Sequence, residues 1–202
     1  MEKFKKIKIK HFKDCINLFD KEWDLGKSHS LSTGKICALI YLFEVIRYSD
    51  LLIGYFDNNK LIGFAGFGNY KKPKNKIKKR FYNFLYHLSF YNPKIKDKAK
   101  LKKYYDALDY LPSNLENYFD GELSMLIVDS NYRGKKIGLE LFNKICLLAK
   151  ENGMENMRID SDESCSFSFY EKTGCIKKYD EMRPSLEYNG KLIHTFVFEK
   201  KL

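Results

Sequence analysis

From Asp129 the chain reads Asp-Ser-Asn-Tyr-Arg-Gly-Lys-Lys-Ile-Gly, then Leu-Glu-Leu-Phe-Asn-Lys-Ile: a cluster of cations and glycines that turns abruptly into an apolar pattern. A helix opening inside such a run offers unpaired backbone N–H groups in its first turn and the positive end of its dipole, both of which attract phosphate. Gly134 and Gly138 let a ligand approach the backbone closely, and Arg133, Lys135 and Lys136 add mobile positive charge. That is the chemistry of a diphosphate cradle. The same residues could equally form a solvated basic turn, so the elements around them have to decide.

Those elements follow an alternating order. Residues 5–10 (KKIKIK) have the period of a strand. Residues 15–23 and 35–46 have the period of helices, the second capped by Ser32 or Thr33. Two β-prone runs, 51–56 and 61–68, flank Asp-Asn-Asn-Lys and predict a hairpin, because asparagine tolerates positive φ. Within residues 70–118 two apolar stripes, Ile77 to Leu88 and Leu101 to Leu111, predict a helical pair. Residues 121–130 read as a central strand that runs directly into the cradle, and 134–152 as the helix after it, ended by Gly153. A strand at 157–162, a short helix at 164–174 closed by Gly174, and strands at 176–180 and 192–200 complete the chain.

A chain of 202 residues with 44% apolar content can bury a real core, and one domain over 1–202 is the simplest reading. No run approaches the roughly 18 apolar residues of a membrane span, and the first residues lack an apolar signal block, so a cytoplasmic protein with no membrane partner is expected. Five cysteines without a CxxC pair suit free thiols, and four scattered histidines form no metal or catalytic constellation; no metal is expected. The net charge of +11 is local: residues 70–103 hold twelve lysines and Arg80 against Asp97, a net +12, so the remainder carries −1.

The run Val128-Asp129-Ser130-Asn131-Tyr132-Arg133-Gly134-Lys135-Lys136-Ile137-Gly138 resembles the acetyl-CoA signature of the GNAT superfamily of N-acetyltransferases, Gln/Arg-x-x-Gly-x-Gly/Ala after Val-x-Pro-x-Tyr. Ser130 replaces the frequent proline, and Lys136 stands at the middle glycine, where a helical φ would suit a residue with a side chain. Phe169-Tyr170-Glu171-Lys172-Thr173-Gly174-Cys175 is similar to the family's Phe-Tyr-Glu-Lys-x-Gly-Phe, with Glu163 where an asparagine often stands. The resemblance implies an α/β (α+β) fold: a mixed, mostly antiparallel sheet of six or seven strands with helices on both faces, and a basic helical insertion at about 70–118 between the third and fourth strands. The fourth and fifth strands would splay into a slot. Acetyl-CoA would be the cosubstrate, its pantetheine bonded to the main chain of Leu126, Ile127 and Val128, its diphosphate held by Arg133, Gly134, Lys135, Lys136, Ile137 and Gly138.

The transfer that follows needs a neutral amine to attack the thioester and a proton for the departing thiolate. Tyr170 matches the family's tyrosine and is the candidate acid. Glu122 is the candidate base, because strand alternation sets it on one sheet face with Ser124 and Leu126; Asp160 and Asp162 stand in reserve. The insertion is expected to form a lid over the acceptor, and its charge would favour an acidic or phosphorylated acceptor amine. The expected function is acetyl-CoA-dependent N-acetyl transfer to a small-molecule or peptide amine by direct attack. The alternatives are a non-catalytic acyl-CoA-binding module and a binder of RNA or an acidic protein through the basic helices. Oligomeric state, monomer or homodimer, stays open.

Overall fold

The computed structural model describes residues 3–24, 31–95, 98–99, 101–102, 111, 113–115, 117–188 and 191–202, the side chains of 31–32, 183–188 and 191–193 excepted. Seven strands form one sheet: β1 (Phe4–Lys6), β2 (Leu51–Asp57), β3 (Lys60–Asn69), β4 (Gly121–Val128), β5 (Asn156–Asp162), β6 (Ile176–Tyr188) and β7 (Lys191–Lys201). Among the described residues the helices of five residues or more are α1 (Phe12–Glu22), α2 (Leu31–Tyr48), α3 (Lys76–Ser89), α4 (Ile137–Glu151) and α5 (Ser168–Lys172). The strand order is β1-β2-β3-β4-β5-β7-β6, antiparallel everywhere except between β4 and β5. The expected α/β fold class and element order are both present.

Alternating side chains divide the core between the two faces of the sheet. On one face Tyr55, Ala65, Phe67 and Phe198 pack against Ile137, Leu141, Phe142, Ile145 and Ala149 of α4. On the other, Leu52, Phe56, Phe64, Met125 and Ile127 meet Leu18 and Phe19 of α1 and Leu42, Val45 and Ile46 of α2. The hairpin between β2 and β3 turns on Asn58 (φ 46°) and Asn59 (φ 64°), the positive φ expected of those asparagines. Gly68 and Gly121 are glycine for lack of room: a Cβ would lie 2.1 Å from the Tyr48 carbonyl oxygen at the first, and 2.0 Å from that of Gly68 at the second. These two gaps let the end of α2 rest directly on the sheet where β4 begins.

Several local expectations shift. The first strand stops at Lys6, and Ile9–His11 form a 3₁₀ turn instead of continuing it. Because α2 starts at Leu31, Ser32 and Thr33 fall inside its first turn and cannot be its N-cap. The second predicted helix of the insertion, Leu101 to Leu111, lies largely outside the described residues. The first is α3, but its inward face is carried by Tyr82 and Tyr86, while Ile77, Phe81, Phe84 and Leu88 are exposed. Spacing had identified the stripe; it did not fix which way the stripe points.

Asp50 holds α3 to the body. Its carboxylate accepts from the backbone amides of Asn69 (2.7 Å) and Lys74 (2.7 Å) and pairs with Lys79 (2.7 Å). At the other end of the insertion, Asp120 accepts from the amides of Glu155 (2.7 Å) and Asn156 (3.0 Å) and pairs with Lys71. Burial alone would raise the Asp120 carboxyl, but these partners outweigh it and hold it below the usual carboxylate value of 3.8. One side chain thereby clamps the beginnings of β4 and β5 together.

Candidate active site

β4 and β5 are joined at one end only. Their parallel pairing covers Gly121 with Met157 and Glu122 with Arg158, and goes no further. On its other edge β4 is paired to β3 from Asn69–Gly121 to Gly63–Val128. Beyond Glu122 the two central strands diverge around a cleft of about 760 Å³. The predicted splay is therefore present, and the main chain of β4 forms one of its walls.

Which backbone groups face the opening follows from alternation. The amide of Asp129 donates to the Ile62 carbonyl across β3 (2.8 Å). Two residues earlier, Ile127 presents its N–H and C=O to β3 as well, which leaves those of Leu126 and Val128 on the open edge. Of the three main-chain positions expected to bind pantetheine, Leu126 and Val128 thus have free groups, whereas Ile127 has both its backbone and its buried side chain committed elsewhere.

Strand alternation is broken at Ser124. Met125 pairs with Gly66 and Leu123 with Phe67, so Ser124 is an extra residue in β4. Leu123 and Leu126 consequently both pack toward α4, while Ser124 turns the other way, its Oγ 2.6 Å from Ser49 Oγ at the end of α2. The expectation that Glu122, Ser124 and Leu126 share one face is corrected by this bulge: Leu126 lies opposite to Ser124.

At the mouth of the cleft, α4 begins at Ile137, later than the expected residue 134. Lys136 is its N-cap residue at φ 60°, ψ 10°, so the expectation of a helical φ there fails. The lysine adopts the left-handed conformation that a glycine takes freely and that costs another residue about 1 kcal/mol. Gly134 also has positive φ (79°), and a Cβ there would meet no atom within 4 Å. At Gly138 a Cβ would meet only Val128 Cγ2, at 3.8 Å. Among the described residues none accepts a hydrogen bond from the amides of Gly134 to Leu139. An open concave turn of donors, with room exactly where side chains are missing, suits a bound phosphate.

Charged residues of α1 fix this turn in place. Glu22 accepts from the Ser130 amide (2.9 Å) and lies 3.4 Å from Arg133 Nη2, and Lys21 pairs with Asp129, which also accepts from the Asn131 amide (2.9 Å). Burial would raise the Asp129 carboxyl, yet Lys21 and the Asn131 amide hold it below its usual range. Arg133, Gly134, Lys136, Ile137 and Gly138 line the cleft. Lys135 does not; its ammonium lies over the Tyr132 ring, 4.8 Å from the centroid. Asp129 was legible as a turn former, but nothing in the sequence ties Glu22 to a loop more than a hundred residues away.

Tyr170, on α5, lines the cleft from the β5 side, its ring against Phe142 (6.0 Å between centroids) and Phe198 (5.7 Å). Burial, with smaller contributions from Cys165, Cys175 and Asp160, pushes its hydroxyl well above the usual 10. Glu122 stands where the strands part. Its Oε2 accepts from the Tyr70 hydroxyl (2.6 Å), and its partner in β5 is Arg158. Arg158 itself binds Asp160 through Nε (2.8 Å), while Asp162 caps a turn by accepting from the Ser164 amide (2.7 Å). Burial disfavours the Arg158 charge, but Asp160, Tyr70 and Glu122 more than restore it. Glu122 is thus embedded in a polar network and is not the free carboxylate of a strand end. Tyr70, absent from the predicted site, carries no sequence signal beyond its place after β3.

The same cleft receives Tyr41, Glu44 and Tyr48 from α2 and Trp23 from the end of α1. No described residue of 71–119 lines it, so the lid expected of the insertion finds no support in α3, which packs on the outside of α2 through Tyr82 and Tyr86.

Comparison with known proteins agrees with this geometry. The profile described as Acetyltransferase (GNAT) family matches residues 18–175. Among solved structures, the ribosomal-protein-alanine N-acetyltransferase from Brucella melitensis is similar at TM-score 0.59 and 11% identity, over 98% of this chain and 99% of that one. An N-acetyltransferase from Staphylococcus aureus Mu50 gives 0.58 and 12%, over 98% and 96%. The PaiA N-acetyltransferase from Thermoplasma acidophilum, solved with coenzyme A, gives 0.53 and 18%, over the whole of both chains. No curated protein sequence matches this chain.

Proposed function

Since the chain belongs to the acetyltransferase (GNAT) family, we propose that it transfers the acetyl group of acetyl-CoA directly to an amine held in the β4–β5 cleft. The observation that carries this reading is the coincidence, in one opening, of a free β4 edge and an unpaired turn of amides at its mouth. The diphosphate is bound by the amides between Gly134 and Leu139, and pantetheine adds itself to β4 through Leu126 and Val128 as a further strand would.

The chain's own residues then handle the protons. A neutral amine attacks the thioester carbonyl, nitrogen gains the acetyl group, and the carbon–sulfur bond breaks to release the CoA thiolate. Tyr170, whose protonated hydroxyl lines the cleft, donates to that sulfur, as a strong hydrogen bond or by proton transfer. Glu122, oriented by Tyr70, receives the amine proton directly or through water.

The lining speaks for a cationic acceptor over the acidic or phosphorylated one suggested by the insertion's charge. Glu44, Glu122 and Asp160 line the cleft together with Tyr41 and Tyr48, and these three carboxylates outnumber the two guanidinium groups beside them, Arg47 on Glu44 and Arg158 on Asp160. The basic residues of α3 do not enter it. CoA release measured over a panel of diamines, basic peptides and phosphorylated amines tests this: turnover of the cationic members supports the proposal, and acetyl-CoA binding with no turnover of any amine contradicts it.

A further inference from the structure

Helix α3 is apolar on two opposite sides, and among the described residues only one of them is covered. Tyr82 and Tyr86 face the body, and the chain after the helix turns back onto that same side, burying Ile95 beside Tyr86 and Ile40. On the opposite side Ile77 is 86% exposed, Phe81 55%, Phe84 60%, Leu88 50% and Tyr91 76%. From Ile77 to Leu88 this ridge is about 16 Å long. Single exposed apolar residues need no explanation, but a continuous stripe of them along one helix face marks a contact surface.

The border of the ridge selects the partner. Arg80 flanks it on one side, with Lys76 and His87 further round, and Lys78 flanks it on the other; all four are exposed. There is no Asp or Glu between residues 70 and 96. Two copies laid ridge to ridge would therefore oppose lysine and arginine with lysine and arginine, which disfavours self-association through this face. Nucleic acid would satisfy the cations but leave isoleucine, leucine and phenylalanine in water. An anionic bilayer surface satisfies both, because the acyl boundary takes the apolar ridge while the headgroups take the flanking charges.

We propose that α3 docks this protein onto anionic lipid surfaces, lying in the headgroup plane with Ile77, Phe81, Phe84 and Leu88 inserted. No described helix is long and apolar enough to cross a membrane, and none is needed for this mode. The contact is independent of the acetyl-CoA cleft, which no described residue of α3 lines.

Vesicle sedimentation tests it with the whole protein. Vesicles of phosphatidylcholine containing about 30% phosphatidylglycerol should carry it down and vesicles of phosphatidylcholine alone should not. The double variant Phe81→Glu/Phe84→Glu should lose partitioning by at least tenfold, and the milder Phe81→Ser should lose part of it. Both should keep the acetyl-CoA affinity of the parent, which reports an intact fold. Failure to sediment with phosphatidylglycerol overturns the proposal. So does sedimentation that the double variant leaves unchanged, since lysines alone would then explain it, and so does a parent dimer that the variant dissociates without any lipid binding.

Discussion

The two edges of β4 are made of the same residues and have opposite fates. Toward β3 the strand is paired from Gly121 to Val128; toward β5 the pairing ends after Glu122. The first edge is structure, because the ladder to β3 runs its whole length and is interrupted only by the bulge at Ser124. The second leaves the groups of Leu126 and Val128 without a strand partner, a cost that folding accepts only where water or a ligand can meet them. What separates the edges is what lies at their ends. Gly68 and Gly121 let β3, β4 and α2 close tightly, while Asp120 clamps β4 to β5 at one end and the open turn before α4 lies at the other. A binding site is produced by stopping a ladder early.

This comparison can be broken in graded ways. The largest effect is expected across the cleft from the open edge: Tyr170→Phe should lower kcat by about 10²- to 10⁴-fold while leaving the calorimetric affinity for acetyl-CoA nearly unchanged. Gly138→Val should act in the reverse sense. A Cβ at this position meets only Val128 Cγ2, at 3.8 Å, so thermal stability should hold, while the occupied cradle weakens acetyl-CoA binding by about 100-fold. Loss of both stability and binding in this variant would mean that the position is structural.

The clamp itself comes next. Asp120→Ala removes the acceptor of the Glu155 amide and of the buried Asn156 amide and should destabilise the fold by about 1 to 3 kcal/mol in denaturant titration. The same carboxyl has a depressed folded value, so its contribution is fully present above the unfolded value near 3.8 and is lost as pH falls through the lower folded one. Stability curves of parent and variant should therefore converge in strong acid. Lys136→Gly is the smallest change: relief of the positive φ should raise stability by up to about 1 kcal/mol, and acetyl-CoA should still bind, because the amide and not the ammonium makes the cradle.

Much of this was legible in the residues. The hairpin asparagines, the apolar stripe of Ile137, Leu141 and Ile145, and the glycines at 134, 153 and 174 each announce their element through local chemistry. The misjudged details all depend on tertiary context. Counting by twos along β4 fails at Ser124 because a bulge has no signature of its own, and the helical period of Ile77 to Leu88 gives a stripe without a direction. A residue with a side chain favours a helical φ at 136, but the turn into α4 takes a left-handed residue there, φ 60°, whatever its side chain. Glu22, Tyr70 and Asp120 act over distances in sequence that no local pattern spans.

Amide hydrogen exchange, resolved by residue and measured with and without acetyl-CoA, bears most directly on the account. It predicts new protection at Gly134 to Leu139 and at Leu126 and Val128, with Ile127 already slow and unaltered. Binding that slows exchange elsewhere while these amides stay as they were would contradict it.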